Sequence, residues 1–82
     1  MEKIKVLIAD DHGVVREGLM AMLQAIDVVD VVGEAKNGQD AVEQTRKLLP
    51  DVILMDLRMP LMDGVEATRL IKREFPHIGI IA

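Results

Sequence analysis

The chain has no cysteine, no tryptophan, no tyrosine and a single phenylalanine, Phe75. The missing thiols exclude disulfides, thiolate catalysis and cysteine-type zinc sites together. Two histidines far apart in sequence, His12 and His77, argue against a histidine-built metal site, so any metal is expected to be held by oxygen. No window reaches the roughly 18 consecutive apolar residues of a membrane span, and residues 1–9 lack the profile of a secretory signal. The expected location is the cytoplasm, with no membrane partner. A net charge of −4 without a basic block argues against direct contact with nucleic acid by this segment. No linker, low-complexity stretch or repeat divides the sequence.

What is present is apolar: half of the 82 residues are hydrophobic. A chain of this length makes one domain at most and buries only about 60% of its unfolded surface, so its core is expected to be marginal. That core should be built from Val, Ile, Leu and Met, with some apolar surface left for a partner. Residues 4–9 (IKVLIA) and 52–55 (VILM) are apolar through both parities, the pattern of strands covered on two faces in a parallel sheet. Residues 28–35 are interrupted by Asp30 and Gly33 and read as an edge strand, while 78–82 (IGIIA) is apolar again.

Three helical patterns lie between the strands. Val15, Leu19, Met22, Leu23 and Ile26 form one stripe; Ala41, Thr45, Leu48 and Leu49 a weaker one; Ala67, Leu70, Ile71 and Phe75 the third. Asn37-Gly38 opens the second helix and Pro50 ends it; Asp63 with Glu66 three residues on marks the start of the third, and Pro76 its end. Met22 and Met55 fit core positions, and Met59 and Met62 fit a mobile loop. Lys72-Arg73 reads as a solvated helix face. The alternation β-α-β-α-β-α-β implies right-handed crossovers and an α/β doubly wound parallel sheet. With the first and third strands central and the second at an edge, the spatial order is 2-1-3-4.

In such sheets ligands bind beyond the carboxyl ends of the strands where the winding reverses, here between the first and third. Those ends carry Asp10, Asp11 and Asp56. Neighbouring strand residues point to opposite faces, so the acidic pair converges on one ion only if the chain turns on leaving the strand, which Gly13 permits. Three close carboxylates repel unless a cation neutralises them. Magnesium fits, with Asp11 and Asp56 as direct ligands and Asp10 acting through water. A carboxylate beside that cation can attack phosphorus to give an aspartyl-phosphate. Asp56 is the choice for that role, since Arg58-Met59-Pro60 beyond it form an extended loop that leaves its side chain accessible. His12 reads as a loop residue rather than a base, because no serine or cysteine partner is in sight.

The stretches VLIADDH, REGL, VVGEAKNGQDA, DVILMDLRMPLMDGVEATR and FPHIGII, spanning residues 3–82, resemble the receiver domain of two-component response regulators of the NarL/FixJ subgroup, whose output is a LuxR-type DNA-binding domain. The resemblance implies a flavodoxin-like fold with three crossover helices. It implies Asp56 as phosphoacceptor for a sensor histidine kinase or a small phosphodonor, and Mg2+ held by Asp10, Asp11, Asp56 and the backbone carbonyl of Arg58. In such receivers the side chain two after the acceptor, here Arg58, helps set the lifetime of the phosphoryl group.

Receivers also carry a Ser or Thr after a fourth strand and a Lys after a fifth, and residues 1–82 reach neither. The expectation is therefore the N-terminal part of a receiver, truncated after its fourth strand. It should keep the acceptor and metal half of the site, lack the readout half, and self-associate through the exposed fourth-strand edge. Gly13 stands where the subgroup often has Pro. Two alternatives compete: a folded fragment without phosphotransfer, and an aspartate-nucleophile phosphohydrolase. The enzyme class needs an acidic residue two positions after its nucleophile, where Asp10 is followed by His12. Neither glycine-rich nucleotide-binding pattern follows the first strand.

Overall fold

The computed structural model describes residues 2–82. Four strands, β1 (Ile4–Ala9), β2 (Val29–Ala35), β3 (Val52–Met55) and β4 (Gly79–Ile81), alternate with helices α1 (Gly13–Gln24), α2 (Gly38–Leu48) and α3 (Gly64–Glu74). All pairings are parallel and the spatial order is β2-β1-β3-β4, as the burial pattern of the sequence predicts. Two strand boundaries shift inward: β2 begins at Val29 rather than 28, and β4 covers 79–81 rather than 78–82.

Val6, Leu7, Ile8 and Ala9 are all buried, which explains why β1 is apolar at both parities. Leu7 and Ala9 share a core with Ile53, Met55, Ala41, Val42, Ala67, Ile71 and Ile78, so α2 and α3 pack together over one face of the sheet. The chain reverses its winding after β2, and right-handed crossovers then place α1 on the opposite face, over Val6 and Ile8. The register of β1 against β2 slips between Val6 and Leu7, leaving Val32 as a bulge. Gly33 follows, and a Cβ there would press on the Leu48 side chain of α2.

The caps follow the sequence chemistry. Asn37 accepts a hydrogen bond from the Asp40 N–H at 2.7 Å, and Asp63 accepts one from the Glu66 N–H at 2.9 Å. Thr45, fully buried on α2, satisfies its hydroxyl by donating to the Ala41 carbonyl at 2.7 Å.

Three packing expectations are overturned. The α1 stripe forms, but no residue of α1 is buried and Met22 is 70% exposed. Among the described residues α1 is the one helix on its face of the sheet, so it has a neighbour on one side only. Met59 is buried in the core rather than in a mobile loop, because the β3–α3 connection folds back over α3 and α2. Leu49 leaves its stripe: it is the left-handed C-cap of α2, with φ 48°, and it is half exposed.

Candidate functional site

The parallel ladder carries the first acidic residues to one level. The Asp56 N–H donates to the Ala9 carbonyl at 2.8 Å, and the Asp10 N–H to the Ala35 carbonyl at 3.0 Å. Each aspartate thus continues the hydrogen bonding one residue beyond its strand, and Ala9 lies opposite Met55 in register. Both side chains emerge at the carboxyl edge, between the two strands where the winding reverses.

The turn after β1 is made by Asp10 itself. Its Oδ1 accepts the His12 N–H at 2.8 Å, an Asx-type turn that brings Asp11 round to the same side. Gly13 is not the turning residue: it is the first residue of α1, and no glycine of the described residues has positive φ. Arg16 on α1 braces this turn from behind. Its Nη1 donates to the Asp10 carbonyl at 2.6 Å while its Nε donates to Glu34 Oε1 on β2 at 3.2 Å.

Asp56 is held from the other side. Its Oδ1 accepts the Arg58 N–H at 3.0 Å, so the chain curls back over the carboxylate as it leaves β3. The loop is anchored again by the Gly64 N–H, which donates to the Leu57 carbonyl at 3.1 Å. Arg58 therefore sits over the carboxylate, with its own side chain exposed.

Asp10, Asp11, Asp56 and His12 each present one ligand atom to a common point, all within 4.8 Å of one another. The Asp10, Asp11 and Asp56 side chains are 13%, 29% and 22% exposed, enough for access by solvent and small molecules. His12 is the residue the sequence reading set aside. Its Nδ1 lies 2.8 Å from Asp10 Oδ1, 3.1 Å from Asp11 Oδ1 and 3.9 Å from Asp56 Oδ2. The hydrogen bond to Asp10, then the charge of Asp11, raise the imidazole pKa above its ordinary value of 6.5. The signal in the sequence was its place directly after the acidic pair, where a turn throws the next side chain back over the carboxylates.

The donor set suits a hard divalent cation: carboxylate oxygens converge from two strands, and among the described residues the one basic side chain within 4 Å of them is an imidazole. Beside the carboxylates a cavity of about 500 Å³ opens between α1 and the end of β4, with Asp10, His12 and Asp56 on one wall and Leu19, Leu54 and Ile81 among its apolar lining.

A doubly wound α/β domain with an acidic cluster at its switch point is one class of fold with one ligand position. Residues 6–82 match the response regulator receiver domain family, and the chain belongs to it. It is 51% identical over 78 residues to the response regulator protein VraR of Staphylococcus saprophyticus, covering 95% of this chain and 37% of that protein. It is 46% identical over 78 residues to the transcriptional regulatory protein LnrK of Bacillus subtilis, covering 95% and 36%. The chain thus spans a little over a third of the length of these curated relatives. Among solved structures, the response regulator domain of Thermotoga maritima CheB superposes with TM-score 0.89 at 41% identity, covering 92% of this chain and 56% of that one. The isolated receiver domain of RcsB from Salmonella enterica serovar Typhimurium superposes with TM-score 0.88 at 36% identity, covering 96% and 59%. The flavodoxin-like receiver fold and the kinship with response regulators of the LuxR and NarL type follow from these matches. Receiver domains are signalling modules of two-component systems rather than enzymes in the ordinary sense.

Proposed function

We propose that this chain is a phosphoacceptor module in which Asp56 takes a phosphoryl group from the phosphohistidine of a sensor kinase, in the service of a DNA-binding output domain in the parent protein. The observation that carries the reading is the Asp56 carboxylate itself, fixed by the Arg58 N–H, partly open to solvent, and within reach of Asp10 and Asp11 at the switch point. In the transfer an Asp56 oxygen forms the new O–P bond as the P–N bond breaks. The departing imidazole keeps the electron pair and takes a proton from solvent.

A bound Mg2+ supplies charge neutralisation and alignment of the phosphoryl oxygens, and the residues that would hold it are Asp10, Asp11, Asp56 and the carbonyl of Arg58. The chain's own contribution is orientation. Arg16 fixes the Asp10 carbonyl, the Asp10 turn aims Asp11, and the Arg58 N–H holds one Asp56 oxygen. The family relatives support the output half of the reading, since RcsB has been solved on a promoter with a phosphomimetic. Action in the cytoplasm belongs to the same proposal; among the described residues no helix is long and apolar enough to cross a membrane.

Intact mass after incubation with Mg2+ and acetyl phosphate tests the acceptor. Wild type should gain one phosphoryl group and Asp56→Asn none. Equal gain in both would remove Asp56 from the role, and no gain in either would favour a folded fragment without phosphotransfer.

Self-association through β4 is part of the proposal. Among the described residues the outer edge of Gly79–Ile81 has no strand neighbour, Ile81 is exposed, and the apolar cavity beside it is lined by Leu19 and Leu54.

A further inference from the structure

We propose that Asn37-Gly38 is a modification site at which the Asn37 side chain deamidates through a cyclic imide, and that the packing of the β3–α3 loop on the start of α2 holds this reaction off. Asn37 is the one asparagine of the sequence, and it lies outside the acidic cluster.

The glycine that makes the pair labile is one that α2 cannot exchange. A glycine after asparagine leaves the backbone nitrogen unhindered for attack on the side-chain amide, so this dipeptide closes its ring more readily than others. At Gly38 a Cβ would collide with the Met62 carbonyl, in the loop that leads away from Asp56, and would stand 3.0 Å from the Asp63 carbonyl oxygen. Both obstacles are backbone, so a bulkier residue that would slow the reaction does not fit.

The same packing keeps the ring open. Closure needs the Gly38 nitrogen and the Asn37 Cβ nearly eclipsed about the Asn37 Cα–C bond, and ψ 171° holds them staggered. Asn37 Oδ1 is engaged at the same time, accepting the Asp40 N–H at 2.7 Å, and Gly38 is buried, shielded from a solvent base. Reaction therefore requires the first turn of α2 to lift from the loop. Base then removes the Gly38 N–H proton, the nitrogen forms a bond to Asn37 Cγ, and the Cγ–Nδ2 bond breaks as ammonia leaves with a proton from solvent. Water reopens the imide at either carbonyl to give aspartate or isoaspartate, so the balance is one water in and one ammonia out. Aspartate keeps an acceptor for the Asp40 N–H and places negative charge at a helix start, where it is favoured. Isoaspartate routes the main chain through the side-chain methylene, which moves Gly38 against the Met62 carbonyl and breaks the cap.

Incubating the 82-residue chain at mildly alkaline pH, folded in buffer and unfolded in urea, tests this by intact mass and by mapping the peptide that spans residue 37. The unfolded chain should gain one mass unit at Asn37, and the folded chain should do so about tenfold or more slowly. Asn37→Ser, an equally good cap, should gain nothing in either state. Gly64→Ala, which presses on the Asp56 carbonyl at the other end of the loop, should quicken the folded-state reaction. Val6→Ala, buried on the α1 face, should quicken it less when the two variants are compared at equal stability. No gain in the unfolded chain, gain that persists in Asn37→Ser, equal folded and unfolded rates, or equal acceleration by the two variants overturns the proposal. Should Gly64→Ala fail to fold, wild type in sub-denaturing urea decides. A rate that stays flat below the unfolding transition supports the local opening, and one that follows the unfolded fraction from the outset overturns it.

Discussion

The α-carbon of Gly64 rests against the backbone of Asp56: a Cβ built there would collide with the Asp56 carbonyl oxygen and stand 2.6 Å from the Leu57 α-carbon. The first residue of α3 and the proposed phosphoacceptor are therefore in direct main-chain contact. Because both partners are backbone, neither can swing away.

Gly64→Ala should displace the β3–α3 loop. Alanine's better helix propensity is worth at most about 1 kcal/mol at this terminal position, while overpacking against fixed backbone costs roughly 1–3 kcal/mol, so the collision wins. Urea denaturation should show net destabilisation, and the rate of phosphorylation by acetyl phosphate should fall. Unchanged stability and rate would mean that the loop yields freely.

His12 should titrate above 6.5 in the metal-free protein, because its hydrogen bond to Asp10 and the Asp11 charge favour the imidazolium. A raised folded-state pKa contributes stability that is complete below the unfolded value of 6.5 and is lost as pH rises through the folded value. Histidine NMR titration should show His12 falling toward its ordinary value in Asp10→Asn. An unaltered His12 titration in that variant would contradict the contact.

Arg16→Met keeps the length of the side chain and removes its donors to the Asp10 carbonyl and Glu34. A charged hydrogen bond is worth about 1.5–3 kcal/mol, and partial exposure of the pair reduces this to roughly 1–2 kcal/mol. Divalent-ion affinity measured by calorimetry should weaken in parallel, since the carbonyl belongs to the residue that shapes the acidic turn. Glu34→Gln should cost under about 1 kcal/mol, as befits an exposed partner.

Self-association should respond to Ile81→Lys. The charge would lie on the exposed end of β4 beside the apolar cavity, where edge strands are protected by lysine. Light scattering should report a shift toward monomer relative to wild type. A wild-type monomer at all concentrations would dispose of the β4 interface.

The fold was legible because its strongest signals are local and redundant. β1 and β3 are apolar at every position that the sheet covers on two faces, and Asn37 and Asp63 carry the side-chain oxygen that a helix start requires. The convergence of Asp10, Asp11 and Asp56 followed from strand order, which depends only on which strands are buried. What stayed hidden depends on neighbours across space. The α1 stripe implies burial only if something lies beyond it, and Met22 shows that here nothing does among the described residues. Met59 is buried by a loop that folds back, which polarity and a following proline do not foretell. Leu49 and Leu61 adopt positive φ, at 48° and 67°, where residue type points the other way. His12 has no serine or cysteine to activate, and its partners are instead the carboxylates of Asp10, Asp11 and Asp56, which only the turn after β1 brings to it.

The Asp56 N–H bond to Ala9 has an implication for how the chain persists. Acidic groups from two distant segments share an ion only while β1 and β3 remain paired, so a cation that bridges them is lost whenever that pairing opens. Free ion at a hundred times its dissociation constant would add about 2.7 kcal/mol to a domain of this size, a large fraction of a marginal total. The melting temperature should climb with the logarithm of divalent-ion concentration, making the surrounding ionic supply a governor of how much of this chain is folded at any moment.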